Sequence, residues 1–333
     1  MNDMHQKYKI SICIPTYNYG IFLKKNIDIL IKEKYFDCCE VVIGDGGSTD
    51  DTEQLSLAYS KFYQNIKYYN FGKKSGIDID LKKTSDLCNG EYIWFLSADD
   101  VPTKGCISRI LNDISEQPAC ILYDRIICDY FLTVIKKTSW VDFKTHKKIN
   151  FSNSTDYINY LDSLRSIGGL FSFMSVIVVN RSAWQNVTSG EVPKARNYQH
   201  VVRILRILQN PKHHLLVPCH YLINFRGDND SFLNFGEFNR LMIDLKGYRR
   251  IISMYDEIKI IDKLKKMMRR EQKWYYLPKF LVGIRGRNQI LVIGYLVYFG
   301  YKWRQIMLAM IISRLSIFVK YLRIIRRAII RLR

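Results

Sequence analysis

Short apolar segments alternate with segments of helical periodicity through the first third of this chain, and this alternation restricts its fold more than any other feature. The apolar segments predict strands at 9–14, 40–44, 65–69 and 91–96. Between the first two, apolar residues at 22, 23, 27, 30 and 31 recur at the spacing of one helix face. Strands that alternate with helices predict an α/β fold, in which helices cover both faces of a mainly parallel sheet.

Polar loops follow three of the predicted strands. They occupy residues 15–18 after the first strand, 45–48 after the second and 97–100 after the fourth. Parallel strands bring their carboxyl ends to one edge of a sheet, and α/β sheets bind ligands at that edge. We therefore expect the three loops to form one site.

The third loop carries two adjacent carboxylates, Asp99 and Asp100. Two ionised carboxylates at the edge of a hydrophobic core repel each other unless a cation lies between them. Their oxygen atoms suit Mg or Mn, so the pair predicts a metal site. The alternative is that both residues cap a helix beginning near Pro102, because Asp is favoured at helix N-caps.

Three segments of the chain resemble the nucleotide-sugar domain of glycosyltransferase family 2, which has the GT-A fold: ISICIPTYNYGIFLKKNIDIL, EVVIGDGGSTDDT and NGEYIWFLSADDVPTKGCI. Two further segments, SGIDIDL and MSVIVVNRSAW with the later NYQH, are similar to the abequosyltransferase-like branch, which builds bacterial surface polysaccharides. The chain departs from many family members at Gly46, where an acidic residue or Asn is common, and at Ser97, where Asp is common.

The resemblance implies a role for each matching residue. Pro15, Thr16 and Tyr17 would hold the base and ribose of a nucleotide, and Asp45 would contact the base. Asp99 and Asp100 would be the metal-binding pair. We expect Asp100 to be the direct ligand, with Asp99 either sharing the metal or contacting the ribose. Asp78 would contact the base or the donor sugar, or alternatively cap a helix.

Family members of this kind invert the anomeric centre, so a general base must take the proton of the attacking hydroxyl. The similarity to the sub-branch offers His200, which titrates near neutral pH without special tuning. Glu191, which follows Gly190, is the alternative base. The structural alternatives are a histidine satisfied within a helix start and a solvated glutamate.

Positive charge is concentrated at the C-terminal end. The net charge is +20, and thirteen Lys and Arg residues follow Glu271 with no Asp or Glu among them. From Leu315 onward, apolar and basic residues share a helical spacing that is typical of a helix lying in a membrane interface. Packing on its own domain is the alternative. A nucleic-acid partner is disfavoured, because the tail is rich in apolar residues and the chain has no nucleic-acid-binding motif.

The predicted architecture is a GT-A catalytic domain over residues 1–230 followed by a helical, basic, membrane-associating extension over 231–333. The predicted activity is that of an inverting, metal-dependent hexosyl- or deoxyhexosyltransferase. Its donor would be a nucleoside diphosphate sugar and its acceptor a polyprenyl-linked or other glycan, in O-antigen or capsule synthesis. The alternatives are a non-catalytic nucleotide- or glycan-binding protein with the same fold and a basic nucleic-acid-binding protein.

Residues 1–9 lack the apolar segment of a signal peptide. The eight cysteines form no CxxC pair, which favours free thiols over a disulfide framework or a zinc site. We therefore expect a cytoplasmic protein, peripheral on the inner face of the cell membrane and bound to anionic lipid through residues 303–333.

Overall fold

The computed structural model of the chain describes residues 8–188, 195–229, 232 and 236–315. The chain divides into two compact units, Met1–Asn229 and Asp230–Arg333. The assignment of catalysis to residues 1–230 and of membrane association to 231–333 stays a prediction.

The first unit is built on two sheets. In the described residues its strands are, in chain order, β1 (Ile10–Thr16), β2 (Cys39–Asp45), β3 (Ile66–Asn70), β4 (Tyr92–Phe95), β5 (Val101–Pro102), β6 (Cys120–Leu122), β7 (Asp124–Cys128), β8 (Val134–Thr138), β9 (Lys147–Ile149), β10 (Ile177–Asn180), β11 (Leu215–Val217) and β12 (Tyr221–Arg226). The large sheet has the order β3-β2-β1-β4-β10-β6-β11-β9, and the small one has the order β5-β12-β7-β8.

The parallel part of the large sheet follows the sequence prediction. Strand β1 pairs in parallel with β2 on one side and β4 on the other, and β2 pairs in parallel with β3. Ile10, Ile12 and Ile14 of β1 are fully buried. Strands covered on both faces read as nearly continuous apolar runs, which is why these segments were recognisable in the sequence.

Helices flank this sheet. In the first unit they are α1 (Gly20–Leu30), α2 (Thr52–Phe62), α3 (Ile77–Asp86), α4 (Cys106–Ile114), α5 (Ser154–Ser163), α6 (Arg181–Asn186) and α7 (Gln199–Leu208). The predicted apolar face of α1 buries Leu23, Ile27 and Leu30 completely. The predicted mixed α/β class, with a mainly parallel sheet between helices, is confirmed.

The other half of the unit is less regular. Strand β10 runs antiparallel to both β4 and β6, which interrupts the parallel order. In the small sheet, β12 pairs in parallel with β7 and antiparallel with β5, while β7 and β8 form an antiparallel hairpin. The sequence did not predict this small sheet, because its strands are short and partly polar.

The second unit is helical where it is described. Its helices are α8 (Glu237–Ile252), α9 (Ile258–Glu271), α10 (Leu277–Phe280), α11 (Gly286–Tyr298) and a helix over residues 303–315. Within the described part of the chain, no helix combines the length and the apolarity that crossing a membrane requires. The amphipathic helix predicted from Leu315 onward lies outside the described residues, apart from Leu315 itself.

Candidate active site

The loops after β1 and β2 are hydrogen-bonded to each other. Gly46 N donates to the Thr16 carbonyl oxygen at 2.9 Å, and Asn18 N donates to Ser48 Oγ at 2.8 Å. In return, Thr49 N donates to Asn18 Oδ1 at 2.7 Å. The first two polar loops therefore form one continuous surface, as the parallel sheet requires.

Helix α1 connects the third loop, residues 97–100, to the other two. At its N-terminus, Gly20 N donates to Asp50 Oδ2 at 3.1 Å, which ties the helix to the loop after β2. Two turns later, buried Asn26 donates from Nδ2 to the Ala98 carbonyl oxygen at 2.8 Å. One helix thus positions all three loops at the carboxyl edge of the sheet.

Asp45 is fully buried at the end of β2. Its carboxylate accepts hydrogen bonds from Ser48 N at 3.0 Å, Ser48 Oγ at 2.6 Å and the Tyr68 hydroxyl at 2.8 Å. Burial and the bond to Asp45 raise the pKa of Tyr68, so this hydroxyl stays a donor. These bonds fix the loop around Asp45. Its contact with a nucleotide base stays a prediction.

A polar and aromatic surface lies beside this loop. The Tyr17 ring is half-buried and has Lys74 Nζ 4.5 Å from its centroid. Thr16 Oγ1 is buried without a hydrogen-bond partner in the part of the chain that the structure describes. Pro15 is half-buried and pairs with Gly44 across the two strands. Lys74 was not predicted, although it follows β3 by the same rule that located the other loops.

The glycines of the second loop allow the loop after β3 to approach closely. A Cβ at Gly46 would lie 3.2 Å from Lys74 Cα. Gly47 has φ +78°, and a Cβ there would lie 2.7 Å from the carbonyl group of Gly72. The departure from the family at Gly46 therefore has a structural counterpart, because a side chain there would displace Lys74.

Asp99 is half-buried and is oriented by two side chains. Ser97 Oγ donates to one carboxylate oxygen, and Asn229 Nδ2 donates to the other at 2.7 Å. Ser97 therefore replaces the acid found in many relatives with a hydrogen-bond donor. The Asp99 side chain remains partly exposed, as a residue that binds a ligand must be.

Asp100 differs from its neighbour, because its carboxylate points into the protein. It is 2% exposed and accepts hydrogen bonds from Ser175 Oγ at 2.5 Å and Arg226 N at 3.3 Å. Burial, with a smaller contribution from the charge of Asp99, raises the pKa of Asp100 to about 8. The expectation that Asp100 is the direct metal ligand is therefore not favoured by this geometry, which leaves Asp99 as the better-placed oxygen donor.

Neither acid caps the following helix. Between them and α4 lies strand β5, and α4 begins only at Cys106, with Gly105 at its N-cap. The capping alternative is therefore wrong.

Arg226 holds the third loop from the opposite side. Its Nε donates to the Asp99 carbonyl oxygen at 3.2 Å, and its Nη1 donates to the Tyr130 carbonyl oxygen. The guanidinium lies 4.7 Å from the centroid of the Phe22 ring in α1. Sequence reasoning missed Arg226 and Asn229, because more than a hundred residues separate them from Asp99 and neither forms a local motif with it.

Asp78 binds the start of another helix rather than a polar loop of the sheet edge. Its oxygens accept hydrogen bonds from Asn197 N at 2.6 Å and Gln199 N at 3.1 Å, where α7 begins. Burial raises the pKa of Asp78 despite these bonds. Asp78 lies in the first turn of α3, whose N-cap residue is Gly76, so it binds the start of α7 without being an N-cap residue itself, and a contact with base or sugar stays a prediction.

His200 lies in the first turn of α7 and is buried. Its Nε2 is 3.1 Å from the Phe171 carbonyl oxygen, so Nε2 must carry the proton that it donates. Burial lowers the pKa of His200 to about 4. Its role as general base stays a prediction that this environment does not favour, and the alternative, Glu191, lies outside the described residues.

The carboxylates offer few protein ligands for the predicted divalent cation. Among the described residues, no group of three or more His, Cys, Asp or Glu side chains is arranged to hold a metal ion. Asp99 offers hard oxygen atoms beside a polar loop, which suits Mg or Mn when a ligand supplies further oxygens. The residues fit a cation shared with a bound phosphate rather than one enclosed by protein alone.

The comparisons with known proteins agree with this arrangement. Residues 11–177, just over half of the chain, match the family model for glycosyl transferase family 2. The chain belongs to glycosyltransferase family 2.

Two curated relatives and one solved structure illustrate the likeness. The abequosyltransferase RfbV of Salmonella typhimurium is 28% identical over 80% of this chain and 82% of its own length. A Campylobacter jejuni enzyme named GalNAc(5)-diNAcBac-PP-undecaprenol beta-1,3-glucosyltransferase is 29% identical over 32% of this chain and 35% of its own length. The crystal structure of S. aureus TarS 1–349 with UDP has a TM-score of 0.62 at 15% identity and covers 87% of this chain and 80% of that one. The predicted GT-A fold is confirmed.

Proposed function

We propose that the protein is an inverting glycosyltransferase that moves a hexosyl or deoxyhexosyl group from a nucleoside diphosphate sugar to a lipid-linked glycan, in O-antigen or capsule synthesis. The observation that carries the proposal is the convergence of three polar loops at one sheet edge, tied together by α1. Family membership supports transfer over simple binding. The names of the abequosyl- and undecaprenol-dependent relatives support a surface polysaccharide and a lipid-linked acceptor.

The nucleotide would bind against the first two loops. The Tyr17 ring offers a stacking surface, and the buried Thr16 hydroxyl offers a polar contact that no other described residue uses. Lys74 adds a positive charge next to Tyr17, and Asp45 keeps the loop in place. The UDP in the TarS structure supports a nucleoside diphosphate as the class of ligand.

Asp99 would hold Mg or Mn together with the diphosphate oxygens, and Asp100 would keep the loop folded beneath it. When bound, the cation supplies positive charge that stabilises the departing diphosphate. Ser97 and Asn229 each donate to one oxygen of Asp99, so the carboxylate is oriented before any ligand arrives. Preorganised charge of this kind costs no rearrangement during the reaction.

The general base has two candidates. With Nε2 donating to Phe171, His200 can accept a proton only at Nδ1, which is buried without a hydrogen-bond partner among the described residues, and its lowered pKa makes it a weak base. Glu191 is the second candidate. The two are separated by His200→Gln and Glu191→Gln, because only loss of the base removes transfer while donor binding persists.

The protein would work at the cytoplasmic face of the membrane, bound to anionic lipid through residues 303–333. In the described part of that segment, Trp303, Met307, Leu308 and Ile311 are exposed apolar side chains. Lysine and arginine near such side chains favour an anionic interface.

The test is a screen of nucleoside diphosphate sugars with Mn, read first as a shift in melting temperature and then as release of nucleoside diphosphate. We expect one donor to stabilise the protein and to be turned over when a lipid-linked glycan is added. Stabilisation by a donor without turnover, with any acceptor or with water, would instead identify a non-catalytic binding protein.

A further inference from the structure

The hairpin formed by β7 and β8 exposes a cluster of large apolar side chains. Phe131 is 83% exposed, Ile135 66%, Val134 57% and Tyr130 41%. Four such side chains within six residues are unusual on a water-facing surface, where apolar residues are normally scattered. Strand β8 is also the edge of its sheet, which leaves its outer side unpaired within the described residues.

The apolar residues and the charges of this hairpin are arranged in layers along its length. Tyr130, Phe131, Val134 and Ile135 occupy the tip, and exposed Lys136 and Lys137 follow directly. The pairing of β8 with β7 shifts register at Ile135, which interrupts the regular alternation of faces, so the arrangement that remains is the order along the strand, with apolar residues towards the tip and lysines behind them. A strand that recruits another strand or a protein surface normally alternates apolar and polar faces instead.

The turn has a defined structure that holds this tip in place. Asp129 N donates to the Thr133 carbonyl oxygen at 3.0 Å, and Thr133 N donates back to Asp129 Oδ1 at 2.8 Å. Leu132 takes the left-handed conformation, with φ +71°. At the base of the hairpin, Gly227 N donates to the Cys128 carbonyl oxygen at 3.0 Å. The apolar tip is therefore presented by a fixed element.

The same hairpin is attached to the acidic loop. Arg226 donates to the carbonyl oxygens of both Asp99 and Tyr130, so a single side chain bridges the candidate metal ligand and the hairpin. The Tyr130 ring also meets the Phe22 ring of α1, with centroids 6.2 Å apart. A surface or molecule that binds the tip is therefore held at a fixed distance from Asp99.

We propose that residues 130–137 dip into the interface of an anionic bilayer, with the apolar tip among the acyl chains and the two lysines among the headgroups. Layering by depth matches the structure of a membrane interface, where apolar groups lie deeper than cations. The inference rests on the proposed function, in which the inserted hairpin brings the acidic loop to an acceptor that is itself anchored in the membrane. The binding can be measured without donor or acceptor.

The first experiment places a reporter at the tip. In the full-length protein, Phe131→Trp should gain tryptophan fluorescence that vesicles of phosphatidylethanolamine and phosphatidylglycerol with brominated acyl chains quench. The matched control is Phe62→Trp in α2, where the wild-type side chain is 79% exposed but stands on a different element. Stronger quenching at position 131 than at 62 supports insertion. Equal quenching at the two positions, or none, overturns it.

The second experiment removes the apolar tip or its charges. We expect Phe131→Ser with Val134→Ser and Ile135→Ser to weaken binding to these vesicles by about tenfold or more, and Lys136→Glu with Lys137→Glu to do the same only when phosphatidylglycerol is present. The control, Leu57→Ser with Phe62→Ser, removes comparable exposed apolar side chains from α2 and should bind as the wild type does.

Two results would contradict the proposal directly. One is vesicle binding unchanged in all hairpin variants. The other is a dimer of the wild type, seen by analytical ultracentrifugation, that the serine variant abolishes, because this would make a second copy the occupant. Failure of the proposed function gives a different pattern, in which the wild type turns over no donor while the vesicle results stand.

Discussion

Two regions support the acidic loop, residues 97–100, and they differ in how they are encoded. The donor side consists of the loops after β1 and β2 and of α1, all within the first fifty residues or so of the chain. The sheet side consists of Ser175, just before β10, and of Arg226 and Asn229, at the end of β12 and just after it. In the proposed function the donor side binds the nucleotide, whereas the side chains of the sheet side donate hydrogen bonds to the acidic loop and set its position. Substitutions in the two regions should therefore fail in different ways.

The largest effect is expected at Asp99, the acid left half-exposed between the two regions. Asp99→Ala should lower sugar transfer by about a thousandfold, since it removes the proposed oxygen donor to a charge-stabilising cation. Release of nucleoside diphosphate, measured against Mn concentration, checks this, and the melting temperature should change little. Asp37→Ala, an exposed acid elsewhere, is the control. Full transfer by the Asp99 variant would move the metal to Asp100.

The next prediction concerns the contribution of His200 to stability, which can be measured apart from its role in turnover. The pKa of His200 is lowered from 6.5 to about 4, so its contribution to stability is present above pH 6.5 and is lost as the pH falls towards 4. By pH 4.5 this loss amounts to about 2–3 kcal/mol. We expect urea unfolding between pH 7 and 4.5 to show that wild type loses this much more stability than His200→Gln.

If the role of His200 is structural, His200→Gln should still transfer sugar at a measurable rate at neutral pH. Complete loss of transfer, with the donor still bound, would instead restore His200 as the general base.

Arg226 tests whether the sheet side controls geometry. Its Nε and Nη1 serve two carbonyl oxygens at once, which a lysine ammonium cannot reproduce with the same planar fork. Arg226→Lys should therefore lower kcat by about 10–100-fold, as small misplacements of a reacting group do, with a smaller change in the donor KM. Arg206→Lys, on the exposed side of α7, should leave both constants unchanged. A change confined to KM would place Arg226 in the donor site.

Substitution of Ser175 should have the smallest effect, and we expect that effect on stability. Its hydroxyl donates to buried Asp100 and accepts from Ser97 N at 3.0 Å. Ser175→Ala should lower the free energy of unfolding by about 1–3 kcal/mol, because it leaves buried polar groups unpaired. The exposed Ser115→Ala, which loses only a bond to Asn112, should cost far less. If chemical denaturation shows that the two variants lose equal free energy of unfolding, the sheet side contributes no more to stability than an exposed hydrogen bond does.

The donor side could be predicted from sequence because its information is local. An apolar run that ends in Asp45, or in Asp99 and Asp100, marks the end of a buried parallel strand wherever it occurs. The same reasoning ranked Asp100 above Asp99, because it could not show that Asp100 is turned inward by Ser175 and Arg226, far along the chain. Asp78 was ambiguous for the same reason, because the N–H groups that it binds belong to Asn197 and Gln199, more than a hundred residues later.

The middle of the chain was harder to predict because long-range pairing decides it. Strand β8 has an exposed and partly charged sequence, so it lacks the apolar run that identified β1 and β2. Its place is set by pairing with β7, and β7 is placed in turn by β12, almost a hundred residues later. Propensity cannot supply such information, since strand preference depends on the neighbours that a strand meets.

The close approach at Gly46 and Gly47 limits how this enzyme could be redesigned for another donor. A side chain at Gly47 would collide with the backbone of Gly72, and one at Gly46 would crowd the backbone of Lys74. Gly72 itself has open space around its own Cβ position, although its φ of +74° disfavours other residues there. Libraries aimed at the proposed nucleotide site should therefore hold residues 46 and 47 as glycine and vary Lys73 and Lys74, which are exposed.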